Sequence, residues 1–213
     1  MDLKSLLNQA LNSDIVKQGS SQLGAITQDS SKLKTLGAGA LGGGLIGLLM
    51  GSKKAKKIGT KVIGIGGAAA LGALAYKAYN DWQAKQTTTQ PQSSFDPNDA
   101  SHSTLILKAM IAAAKADGHV DEQEMAKIEQ AISEMGADNQ LQQLVKNELH
   151  KPLDPAAIAQ LATTPAQASE LYLASLLIAD EQNFMEKAYL NELAKQLQLA
   201  DDLVMALEQQ VNA

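Results

Sequence analysis

The chain has 213 residues, a net charge of −5 and no cysteine, which excludes disulfides and thiolate metal sites. Every basic residue is Lys, so the bidentate guanidinium contacts that read phosphates and bases are missing and no nucleic-acid partner is expected. Aromatics make up only 3% against a hydrophobic fraction of 45% that is rich in Ala, a mixture that suits closely packed helices and disfavours sheet.

The predicted elements begin with an amphipathic or polar segment over residues 1–34. Leu3, Leu6, Leu7, Ala10 and Leu11 share one helical face, with Asp2 as a cap. This helix either packs on a larger body or lies on a bilayer surface. The polar start does not read as a secretory leader. A glycine-rich membrane region follows over residues 35–82. Residues 35–52 carry no charge, and Gly39, Gly43, Gly47 and Gly51 recur every fourth position, forming one smooth face. Each Gly costs a soluble helix about 1 kcal/mol relative to Ala. In lipid, helix is the only way to satisfy the backbone, and small residues let helices approach closely. As a helix this run is about 27 Å long, against a hydrocarbon core of about 30 Å.

Lys53, Lys54, Lys56 and Lys57 then separate it from a second apolar run, residues 58–76, interrupted only by Lys61. Gly64, Ala68 and Gly72 repeat the small-residue seam, and Tyr76, Tyr79 and Trp82 gather beyond it as an interfacial belt would. The expected form is one span or a two-helix hairpin, with the seam available for self-association and the lysines facing anionic lipid. The alternative is a pair of buried helices in a protein that does not cross the bilayer. Lysines dominate residues 32–85 and acids dominate after Asp96, which places a basic part near a membrane surface and an acidic part away from it.

Residues 83–100 are rich in Thr, Gln, Ser and Pro and read as a flexible linker. From 101 to 213 the caps mark an all-helical domain. Residues 105–116 are apolar on most sides and break at Asp117-Gly118-His119, where Gly118 can take the left-handed conformation. Asp121 and Glu124 form a capping box for the next helix, which Gly136 ends. Asp138 caps a helix with Leu141, Leu144, Val145 and Leu149 inward, stopped by Pro152. Asp154-Pro155 and Thr164-Pro165 start two more. Residues 171–179 are again apolar on most sides. Asn183 starts a helix burying Leu190, Leu193, Ala194 and Leu197, and Asp201 caps the last, with Leu203, Leu207 and Val211 inward.

The domain repeats itself. Ala116-Asp117, a corner, Asp121 and Glu124 correspond to Ala179-Asp180, a shorter corner, Asn183 and Glu186. Two such units predict a pseudo-twofold bundle with the two apolar helices at its centre. The stretch KADGHVDEQE, residues 115–124, resembles the corner of tellurite-resistance TerB-like domains, A-D-G-x-[IV]-x-x-x-E, and the resemblance extends over residues 101–213. With its MDLKSLLNQ start, glycine-rich region and polar linker, the whole chain is similar to the YebE-like inner-membrane proteins, a family of unknown function. That resemblance implies an all-α fold, a cell inner-membrane location and no established activity. A hairpin with its lysine turn inside would put the domain in the periplasm and a single span in the cytoplasm, and the TerB-like resemblance favours the cytoplasmic side. In TerB-like domains the acidic corner residues are suggested metal ligands, which here implies Asp117, Asp121 and Glu124. The second unit departs from the pattern, with Glu181 in place of Gly118 and Asn183 in place of Asp121.

If the two corners lie together, Asp180, Glu181 and Glu186 join Asp117, Asp121 and Glu124, and an oxygen-only set suits Ca²⁺ or Mg²⁺. Against this, Asp121 and Glu124 already serve as caps. His102, His119 and His150 have no Zn²⁺ spacing, and no catalytic constellation is present, so the chain does not read as an enzyme. The function expected is a membrane-anchored helical module that binds a protein partner in envelope or stress physiology; the alternative is a divalent-metal-binding or metal-sensing module.

Overall fold

The computed structural model describes residues 67–86, 95–96, 99–118, 122–134, 137–179 and 183–212. The seam glycines Gly39, Gly43, Gly47, Gly51 and Gly64, the lysine cluster at 53–57, and Asp121 and Asp180 lie outside them. Among the described residues there is no strand. The helices are α1 Gly67–Gln86, α2 Ala100–Ala114, α3 Glu122–Glu134, α4 Asn139–His150, α5 Pro155–Ala159, α6 Pro165–Ile178, α7 Phe184–Gln196 and α8 Asp201–Asn212.

Local chemistry accounts for most boundaries. Asp99 caps α2 by accepting from Ser101 N, and Asp138 caps α4 by accepting from Leu141 N at 2.9 Å. Asp154 accepts from Ala156 N and Ala157 N ahead of Pro155, where a missing N–H costs nothing. Thr164 Oγ1 accepts from Gln167 N, and the Gln167 amide oxygen reaches back to accept from Thr163 N. Asn183 accepts from Met185 N and Glu186 N. Gly118 adopts φ +77°, the left-handed value that closes a helix C-terminus. Asp201 differs from expectation: it is the first helical residue of α8 rather than its cap, and the neighbouring Asp202 carboxylate accepts from Leu203 N.

The two apolar helices, α2 and α6, pack on each other more extensively than any other pair and form the centre. Ile106, Leu107, Met110 and Ile111 on α2 meet Leu171, Leu173, Leu177 and Ile178 of α6 in one continuous core. The amphipathic helices add their inward stripes: Ile128 and Ile132 from α3, Leu141, Val145 and Leu149 from α4, Leu190 and Leu193 from α7, Leu203 and Leu207 from α8. A few polar groups enter this core. Ser175 Oγ stands 3.4 Å from both the Ala109 carbonyl and the Tyr189 hydroxyl, and burial pushes the Tyr189 phenol up to about 12.

The placement of α1 corrects the expectation for the described part of the second apolar run, residues 67–76. Leu71, Ala75, Ala78 and Tyr79 recur at helical spacing and make one buried stripe, with Tyr76 beside it, while Lys77, Asp81 and Lys85 face out. That stripe lies along α6, with further contacts to α8 and α2. Tyr76 and Tyr79 are therefore core residues, not an interfacial belt, and Phe95, inside the stretch expected as linker, packs against the same core. No helix among the described residues is long and apolar enough to cross a membrane.

Candidate functional site

Where α1, α2 and α6 meet, the core carries an acid and an imidazole. His102 sits in the first turn of α2, and Glu170 sits in α6 immediately before its apolar run of residues 171–178. Their side chains face each other with His102 Nδ1 2.7 Å from Glu170 Oε2, and the residues are 5% and 0% exposed. One proton shared between them completes this bond, on either partner. The second carboxyl oxygen, Glu170 Oε1, is buried and has no hydrogen-bond partner.

Aromatic rings and a glycine close the site. Phe95 stands over the imidazole at 4.6 Å between ring centroids, and Tyr76 approaches it edge-on at 5.6 Å. The two rings also contact each other at 5.3 Å. Gly72 lies on the α1 side. A Cβ there would sit 2.7 Å from Phe95 Cζ and 2.8 Å from Glu170 Oε1, so only glycine allows this approach. Burial pushes the Glu170 carboxyl up to about 7, opposed by its hydrogen bond and attraction to His102 and aided by the nearby Asp99 charge. Burial also raises the Tyr76 phenol, with Glu170 contributing, against a side-chain hydrogen bond to Thr164. Chemically the pair can hold or release a proton inside the core. A solute cannot touch it without moving α1 or Phe95.

A second polar group lies at the C-terminal end of α4. Lys115 Nζ donates to the carbonyls of Glu148 and Lys151, supplying donors that the helix end lacks. The Glu148 carboxylate pairs with Lys151 at 2.6 Å and with Lys108 at 3.6 Å. Burial lowers the Lys115 ammonium, partly offset by Glu148. The hollow these residues line is about 70 Å³, floored by Ile111, Ile158 and Leu161. Each lysine is engaged with backbone or with Glu148, so this corner reads as a structural tie.

The residues singled out in the sequence fall elsewhere. Asp117 is half-buried beside Gly118, and Glu124 lies on α3. Among the described residues no group of three or more His, Asp or Glu is placed to hold a metal. Ala68 lies in the first turn of α1. Gly72 does mark a close approach, but toward Phe95 and Glu170 of the same chain. His102 and Glu170 carried no spacing signal. The available clue was compositional: Glu170 is the one charged residue in α6, a helix otherwise built for burial on every side.

These features define an all-helical bundle with a buried acid–imidazole pair under its first helix. The chain belongs to the family described as Protein of unknown function (DUF533), which it matches over residues 35–211. It is similar to a protein of Yersinia enterocolitica described as "Uncharacterized protein in ampR 5'region", with 34% identity over 106 residues that make up 50% of this chain and 76% of that protein. No solved structure matches.

Proposed function

We propose that the chain is a non-enzymatic helical module, anchored in the inner membrane by its glycine-rich region, that presents its bundle to a protein partner on the cytoplasmic side in envelope or stress physiology. The observation that carries this reading is the position of α1. It continues directly from the apolar region and is buried along α6, so an anchor upstream of residue 67 is tied to the bundle by a packed helix. On this reading the rigid module starts at α1, the TerB-like pseudo-twofold unit is the part from α2 onward, and the YebE-like arrangement is that of the whole chain. Burial of the His102–Glu170 pair favours a structural over a catalytic use of those groups. Exposure favours a partner at the start of α7, where Phe184 is 81% and Met185 55% exposed.

The test has two arms. Full-length chain and a chain beginning at residue 67 are expressed side by side and fractionated. The full chain should stay with membranes after alkaline carbonate extraction, and the shorter one should not; a soluble full chain overturns the anchor. A photo-crosslinker at position 184 should give discrete adducts in membranes that the same group at Lys195, on the far end of α7, does not. Equal labelling from both positions overturns the partner surface.

A further inference from the structure

We propose that the His102–Glu170 pair is a proton-operated latch that holds α1 and the Phe95 segment on the bundle. The inference stands apart from the membrane reading, because it concerns only how α1 sits on α2 and α6.

The geometry places a titrating bond under a removable cover. His102 comes from α2, Glu170 from α6, and the lid over both is Gly72 and Tyr76 of α1 together with Phe95. While the pair holds its proton, the site is neutral or an internal ion pair, and the cover closes over it without an unmatched charge. When the proton leaves, the core holds a carboxylate with one oxygen bonded to His102 and the other, Oε1, pressed against Gly72 with no donor. An uncompensated buried charge is strongly unfavourable, and the available relief is for water to reach Oε1 from the α1 side.

The surrounding groups do not supply the missing countercharge. From α1 the facing titratable group is the Tyr76 phenol, raised by burial and by the Glu170 charge, while Lys77 pairs outward with Asp81. From the segment before α2 it is Asp99, whose negative charge opposes ionisation of Glu170. The α8 helix carries no cation, and its Glu208 accepts from Tyr172 of α6. Of the other helices on α6, α5 carries no charge, and α7 adds the buried acid Glu186 with Lys187 and Lys195 exposed. The charges that act on Glu170 are those of His102 and Asp99. Rising pH across neutrality should therefore loosen α1, and falling pH should seat it.

The single tryptophan, Trp82, lies on α1 and packs half-buried against the core beside Tyr79. Acrylamide quenching of Trp82 in the full chain, followed from pH 6 to pH 8.5, reads the latch. The expected result is a quenching constant that rises with a midpoint near neutrality by a factor on the order of two, and stays flat in Glu170→Gln. A flat wild-type profile, or an equal rise in the folded Glu170→Gln protein, overturns the proposal. If Glu170→Gln loses its helical circular dichroism, His102→Asn decides. It keeps a donor toward Glu170 but removes the imidazole proton, so the midpoint should move by about half a pH unit or more. An unmoved midpoint overturns the latch.

Discussion

Gly72 and Glu170 show how two neighbouring residues set each other's requirements. Replacing a helical Gly by Ala normally gains about 1 kcal/mol. At position 72 the new Cβ would meet Phe95 and Glu170 Oε1 below contact distance, and such overpacking costs about 1–3 kcal/mol. Gly72→Ala should therefore lower stability in urea, and a stabilised variant would mean that α1 does not approach Glu170 as described. For Glu170 the sign of the pH dependence follows from a carboxyl lifted from 4.5 to about 7 by burial. A group whose folded value is raised contributes its full stability below the unfolded value and loses it as pH rises through the folded one. Stability should fall between roughly pH 4.5 and pH 7 and level off above, by on the order of 3 kcal/mol at about 1.4 kcal/mol per pH unit. Glu170→Gln has no such loss. Its stability relative to wild type should improve between pH 5 and pH 8 in denaturant titrations, and a constant gap would contradict the assignment.

At the scale of elements, the ends of helices carry most of the local information. Asp138→Ala and Thr164→Ala each remove a side-chain acceptor from a helix start and should cost about 1 kcal/mol in thermal or urea unfolding. Lys115→Met removes the donor to two carbonyls at the end of α4 and should cost about 1–3 kcal/mol; a neutral result would mean those carbonyls find other partners. The two caps were legible in the sequence because each acts over three residues, whereas the Lys115 tie joins residues 33 and 36 positions apart and left no local signal. Gly118 and the Asp-Pro and Thr-Pro starts needed nothing beyond their immediate neighbours. Asp201 misled by one position, since two adjacent aspartates compete for the same helix start and Asp202 is the one that bonds backbone. The α1 helix misled for a different reason. A stripe of Leu, Ala and Tyr satisfies a lipid face and a protein core equally well, and periodicity alone does not say which one it meets.

At the scale of the molecule, the all-helical architecture of the described residues and the central pairing of the two apolar helices followed from composition and pattern. The candidate site did not. His102 and Glu170 are 68 residues apart and meet only because α2 and α6 pack face to face. No spacing rule could join them, although a lone Glu inside a helix buried on all sides invites the search for its partner. What the fold adds is that α1, read from sequence with the apolar region before it, belongs to the bundle and seals that pair. Hydrogen exchange of the full chain through increasing denaturant tests this most directly. At pH 6, where the latch is seated, the amides of residues 75–79 in α1 should be as protected as those of 106–113 in α2 and 171–177 in α6, and all three should lose protection together. Exchange of α1 at a separate, lower denaturant concentration would contradict its place in the core.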